Sequence, residues 1–148
     1  SSMHKEFVTV TVAGQLFGIP VLTVQDVLSA QTIAHIPLAP PEVAGSLNLR
    51  GRIVTAIDVR VCPAMPAHQR PAERMSVVVE HMGNLYSLLV DAVGEVLRVD
   101  AATYERNPVT LNTVWRDVSE GVYRLDGQLL VILDVDRLLR FTRTDEAA

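Results

Sequence analysis

The chain contains one cysteine, Cys62, among its 148 residues, so no internal disulfide can staple it, and that usage fits a reducing, cytoplasmic setting. No apolar run approaches the ~20 residues a membrane-spanning helix requires. The opening SSMHKEF lacks a signal-peptide layout, and Ser1 and Ser2 ahead of Met3 read as added residues. Basic residues are too few and too scattered for a nucleic-acid footprint, with 13 Lys and Arg against 17 Asp and Glu and a net charge of −4. His4, His35, His68 and His81 stand at no metal-ligand spacing from one another or from Cys62. The chain also lacks GxxxxGK[ST], GxGxxG and GxSxG motifs, which removes the common nucleotide-binding and hydrolase signatures. The expectation is a binding module with no catalysis, no cofactor and no metal, and with no direct membrane insertion.

What the chain does have is apolar content, 49% hydrophobic against 20% charged residues. That is the profile of a globular protein with apolar surface to spare for partners. Its length suits one domain, or two small lobes that must lean on each other, because half the length alone would be marginal.

The sequence repeats itself. Residues 7–28, FVTVTVAGQLFGIPVLTVQDVL, lie over 76–97, SVVVEHMGNLYSLLVDAVGEVL, with Val8/Val77, Val10/Val79, Gly14/Gly83, Phe17/Tyr86, Val24/Val93 and Val27/Val96 in register. Residues 44–59 lie over 120–135 and keep Gly45/Gly121, Gly51/Gly127 and Asp58/Asp134. Repeated units of this size imply two similar lobes sharing one interior. Alternation such as Val8, Val10 and Val12 with Thr9 and Thr11 gives strands, with hairpins expected at Gly14-Gln15, Gly83-Asn84, Arg50-Gly51 and Asp126-Gly127. Pro20 limits how far the first return strand pairs, so a turn is expected within Val21–Leu28 before a strand resumes. Pro41–Ala44 reads as a helical turn ended by Gly45. The proline-rich 63–74 reads as a linker between lobes at 7–62 and 75–140, with terminal strands free to cross between them. Trp115 is expected to anchor a short helix, and Asp134 to cap a closing helix whose Val135, Leu138 and Leu139 face inward. The result is a mostly β architecture of two small barrels with short helices.

Two features invite chemistry. Asp58, Asp91 and Asp134 suggest a carboxylate site, but Asp58 and Asp134 follow apolar strands at one offset from a turn glycine, where capping carboxylates belong. The other feature is the turn tip, where the copies differ: Asp126-Gly127 is an ordinary hairpin pair, whereas Arg50-Gly51 puts a cation there. Arg50 reads either as a solvated residue paired with Asp26 or Glu42, or as a binding anchor beside exposed Val24 and Val27. Val24 and Val27 read equally as core residues of the first lobe.

The run GSLNLRGRIVTAIDVR resembles the signature of the CheW family of chemotaxis adaptors, glycine-hydrophobic-x-Asn-Leu-Arg-Gly followed by an apolar strand and Asp-Leu/Val-Arg. FGIPVLTVQDV, YSLLVDAVGEVL and GVYRLDGQLLVILDVDRLL are similar to further runs of that family, so the likeness extends from about Phe7 to Leu139. The resemblance implies a pair of five-stranded SH3-like barrels. It also implies a cytoplasmic protein held at membrane-bound receptor arrays, which binds the helical-hairpin tip of chemoreceptors and the regulatory domain of the histidine kinase CheA. Carried over by position, the receptor-facing groove holds Val24, Asp26, Val27, Asn48 and Arg50, and the kinase-facing surface holds Gly45 and Ser87. Asp26 stands where Glu is usual, Thr55 replaces a customary Pro, and Ser87 occupies a common Gly position. Alternatives are an adaptor of a parallel chemosensory pathway governing pili, biofilm or second-messenger output, or a small-ligand binder or enzyme using a cleft between the lobes.

Overall fold

The computed structural model describes residues 4–29, 43–59, 75–106 and 113–140. The Val/Thr alternation forms β1 (His4–Val12), which turns into β2 (Gln15–Pro20). Pro20, with no N–H to give the ladder, ends that strand, and the 3-10 turn Val21–Thr23 redirects the chain into β3 (Val24–Leu28). The hairpin of β4 (Val43–Leu49) and β5 (Arg52–Asp58) follows. The second copy runs through β6 (Met75–His81), β7 (Asn84–Val90) and β8 (Ala92–Asp100), then a 3-10 turn at Ala101–Thr103 and the short β9 (Tyr104–Glu105). Next come α1 (Thr113–Arg116), β10 (Ser119–Leu125), β11 (Gln128–Leu133) and a closing helix α2 over 135–140.

The strands form two sheets, one ordered β8-β1-β2-β11-β10-β9 and the other β3-β6-β7-β5-β4. The first therefore has six strands rather than five, because the two-residue β9 adds to β10. Each half of the chain contributes to both sheets. Sequence neighbours usually pair, which favours lobes at 7–62 and 75–140 from sequence alone, but Pro20 and the 3-10 turn carry β3 out of the first sheet and onto β6. β8 makes the reciprocal exchange onto β1. Asp91 fixes that exchange, donating its N–H to Thr11 O at 2.9 Å and accepting from Ala13 N at 2.8 Å. The 63–74 linker lies outside the described residues.

The exchange keeps the repeat's register. Val24 faces Val79 and Val27 faces Val77, while Val93 faces Val10 and Val96 faces Val8. The parallel contacts repeat as well, Thr55 with Tyr86 and Val131 with Phe17. Period-two burial explains the interior. One face of each sheet curls around a small core of its own, Leu47, Val54, Ala56, Val78, Leu85 and Leu89 in one case and Phe7, Val99, Tyr123, Leu130 and Ile132 in the other. The opposite faces meet in a larger shared core that includes Val10, Phe17, Ile57, Leu88, Val131 and Leu138. Central strands are thus buried on both faces, and they read as unbroken apolar runs such as LLVIL.

Several local expectations shift. The hairpin turns fall one residue earlier than expected, at Ala13-Gly14 and Met82-Gly83, whose φ values of 51°, 80°, 50° and 83° are those of two-residue type I′ loops. Of the helical turn expected over Pro41–Ala44, Val43 and Ala44 belong instead to β4, whose register shifts between Val43 and Gly45 opposite Ala56, and residues 41 and 42 lie outside the described residues. Asp134 caps α2 as expected, its Oδ1 accepting from Arg137 N at 3.1 Å and its carbonyl from Leu138 N at 2.9 Å. Such a cap stabilises by about 1 kcal/mol, and it aims Leu138 and Leu139 into the shared core. Asp58 is buried at the end of β5, and anything it would cap lies beyond residue 59, outside the described residues. Trp115 of α1 is buried edge-on against Phe17.

Candidate functional site

The β4–β5 turn places Arg50 at φ 53° and Gly51 at φ 84°. The second copy needs positive φ only at Gly127, 74°, in its own two-residue turn. A left-handed residue with a Cβ costs roughly 1 kcal/mol, so turn geometry selects against Arg50. Asn48 offsets part of that cost by accepting the Gly51 N–H on Oδ1 at 3.0 Å, a local side-chain bond of the Asx kind.

β3 and β4 are at opposite ends of the five-stranded sheet, yet its curl brings their side chains together. Arg50 Nη2 donates to Asp26 Oδ2 at 3.1 Å, and Asp26 Oδ1 accepts the Val27 N–H at 2.8 Å. The carboxylate is thereby fixed on both oxygens. The Arg50 side chain remains 80% exposed, against 27% for Asp26. A pair that open contributes only ~0–1 kcal/mol, and one hydrogen bond leaves most of the five guanidinium N–H donors facing solvent. Of the two partners offered by the sequence, Asp26 is the observed one, and Glu42 lies outside the described residues.

The apolar candidates separate. Val24 is half-buried and packs against the shared core, while Val27 is 39% exposed beside the ion pair. Ile53, opposite Asn48 across the hairpin, is 70% exposed, and Leu22 on the 3-10 turn is 93% exposed. Sequence reading missed both. Ile53 lies in a run apolar on both faces, where nothing marks the end of the covered stretch, and Leu22 sits in a turn with no periodicity to read. The site that forms is a fixed cation–carboxylate pair with exposed Val27 and Ile53 on the strands that carry it, a surface suited to holding a protein partner, while Leu22 lines a different cleft.

Gly45 and Ser87 fall in a single row across the same sheet, Gly45 facing Ala56 and Ala56 facing Ser87. Ser87 is fully buried inside the barrel, and its Oγ has no hydrogen-bond partner among the described residues. Its hydroxyl is therefore not presented to solvent, because the pleat that turns Tyr86 and Leu88 toward the shared core turns Ser87 inward. A buried hydroxyl left unpaired costs about 1–3 kcal/mol. Ser87→Ala is accordingly expected to raise unfolding stability by about 1 kcal/mol in denaturant titration, and a loss of stability would show that the hydroxyl has a partner.

A separate open cleft of about 380 Å3 is lined by His4, Lys5, Glu6, Phe7, Pro20, Val21, Leu22 and Glu120. Burial chiefly, with the Asp134 charge added, pushes the Glu120 carboxyl above its ordinary range, and Lys5 opposes the shift. Tyr123 nearby is likewise pushed up, first by burial and then by Tyr104 and Glu120. The cleft mixes charges of both signs and does not gather carboxylates around one point. Among the described residues no group of three or more His, Cys, Asp or Glu is placed to hold a metal ion, and no helix is long and apolar enough to cross a membrane.

A family model described as the CheW-like domain matches residues 6–143. The chain is 27% identical over 138 residues to a chemotaxis protein CheW of Klebsiella aerogenes, covering 93% of this chain and 83% of that one. It is 24% identical over 132 residues to the CheW of Rhizobium meliloti, covering 89% and 85%. Among solved structures it resembles the crystal structure of the scaffolding protein TtCheW from Thermoanaerobacter tengcongensis, with a TM-score of 0.79, 29% identity and coverage of 88% and 89%. A match over nearly the whole chain, on a two-lobe β fold, leads to one conclusion: the chain belongs to the CheW-like domain family, as a CheW-type scaffold or adaptor and not an enzyme.

Proposed function

We propose that the protein is a chemotaxis adaptor that couples the cytoplasmic tips of chemoreceptors to the histidine kinase CheA, working in the cytoplasm at receptor arrays. The observation that carries this reading is Arg50, held by a strained turn and by Asp26 with most of its donors free, next to exposed Val27 and Ile53. A receptor's helical tip lays apolar side chains against Val27 and Ile53, a helix-in-groove mode, while an acidic or polar group meets Arg50. Val24 supports the strand from below. The kinase's regulatory domain meets the sheet at the bulged β4, where Gly45 lets backbone approach; Ser87 acts there only through the strand that it helps to pack. Signal passes as a coupling free energy, since each contact is stronger in one arrangement of the array.

The interior between the lobes is filled by buried side chains of the shared core, which disfavours a ligand or catalytic cleft there. The test is reconstitution with CheA and a soluble receptor fragment carrying the helical-hairpin tip. Addition of the protein is expected to bring kinase activity under receptor control, and kinase activity indifferent to the protein at saturating concentration defeats the reading.

A further inference from the structure

We propose that the outer edge of β8 is a strand-addition site for an extended partner segment that sets a basic residue opposite Glu95 and an apolar residue opposite Val96. β8 pairs with β1 along one side only, and residues 92–99 have no further hydrogen bond from their other side among the described residues. An uncovered edge presents alternate N–H and C=O groups as a template for another strand. Proteins that avoid such pairing keep their edges short, bulged or proline-bearing. The three other edges are shorter: β9 has two residues, β3 has five directly after Pro20 and a 3-10 turn, and β4 has seven with a bulge at Gly45. β8 has nine residues and no proline, and its one irregularity lies between the positions facing Val10 and Val8. Past that irregularity the ladder from Val96 to Asp100 is regular.

The irregularity also fixes what the edge displays. Thr9 Oγ1 donates to Glu95 O at 2.6 Å, and a Cβ on Gly94 would lie 2.7 Å from that same Oγ1, so a side chain there would push the hydroxyl off this bond. The bond uses the Glu95 backbone and leaves its side chain exposed. By the internal repeat Glu95 corresponds to Asp26 and Val96 to Val27. In the first copy Arg50 neutralises the acid; its counterpart in the second copy is Asp126, and Glu95 has no ion pair among the described residues. Arg98 already faces Glu6 across the ladder. Asp100, at the end of the strand, accepts from Ala102 N at 2.9 Å, so Glu95 is the carboxylate of β8 with no side-chain partner among the described residues, and it stands beside a valine that is 51% exposed, which calls for a cation next to an apolar residue in an extended chain. This site is on the other sheet from Arg50 and does not depend on the receptor reading.

The probe is a blocked peptide of the length of β8, alternating valine and lysine, with a glutamate-for-lysine peptide as control, titrated into the labelled full chain. The lysine peptide is expected to shift the amides of 92–100 and to slow their hydrogen exchange at least tenfold. Glu95→Lys, an exposed change, is expected to leave the unfolding midpoint in place, weaken the lysine peptide at least tenfold and confer binding of the glutamate peptide. N-methylation of alternate peptide amides on the pairing edge should abolish binding. The proposal is overturned by shifts spread over the whole surface, by an N-methylated peptide that binds equally well, or by β8 protection that rises with protein concentration alone, which would make a second copy the occupant.

Discussion

Arg50→Ala is expected to weaken binding to a receptor-tip helical hairpin by about 2 kcal/mol, roughly thirtyfold, the usual scale for an interface hot spot. Binding to the kinase's regulatory domain should change little, because that contact is placed on β4 near Gly45 and away from the turn. The turn supplies a sharper control. Since Arg50 occupies a left-handed conformation at φ 53°, Arg50→Gly removes about 1 kcal/mol of strain and should bind as poorly as alanine while unfolding at higher denaturant. Arg50→Asp should bind worse still, because the reversed charge then faces Asp26 as well as the partner. Binding to the receptor tip by isothermal titration, beside denaturant midpoints, reads all three. If Arg50→Ala binds the tip like the parent, the cation is a solvated surface residue and the receptor site lies elsewhere.

The second large effect falls on stability. Phe17 is fully buried and meets Trp115 edge-on, with ring centroids 4.7 Å apart and planes at 81°. It also faces Val131 in the parallel pairing of β2 with β11, so one ring joins the first hairpin, the last hairpin and α1. Phe17→Ala is expected to cost about 3–5 kcal/mol, the range for a large buried aromatic replaced by alanine, which for a domain of ordinary stability removes a large share of the total. At roughly 2–4 °C per kcal/mol for a chain of this size, the melting temperature should fall by about 10 °C. A fall of less than 1 kcal/mol in denaturant titration would mean that the cavity is filled by a neighbour and that the ring is not the joint described.

The strands, the repeat and the family were legible because burial enforces them. Val10 and Val12 alternate with Thr9 because one strand face meets the shared core while Thr9, buried on the other, has its hydroxyl bonded to Glu95 O, and Gly51 and Gly127 stand where the turns need positive φ. Asp134 announced its helix because a cap is local chemistry, read three residues ahead. Partner choice among strands was not legible. β3 pairs with β6 and not with its neighbour β2, and the valines at 24 and 27 fit either sheet equally well. The same ambiguity hid the fate of the site residues: Val24 and Val27 have identical side chains, yet in the folded sheet, with a register shift between them, Val24 is half-buried against the shared core and Val27 is exposed. The burial of Ser87 was hidden for the converse reason, since a small polar residue in an apolar strand says nothing about which face it takes.

The exchange of strands between halves has a consequence for how the protein is made. Gln15 Nε2 donates to Leu129 O at 3.0 Å across 114 residues of chain, beside the parallel pair of Phe17 and Val131. Contacts this distant must repay their loop-closure entropy late, and topologies dominated by them fold in milliseconds to seconds and not in microseconds. On the ribosome, at roughly 5–20 residues per second, the first hairpin waits several seconds for the last one, with the face that will hold Phe17 uncovered. A halfway-synthesised chain thus owns the makings of both lobes and can finish neither, which leaves chaperone capture or pairing with another unfinished chain as its competing fates until β11 arrives.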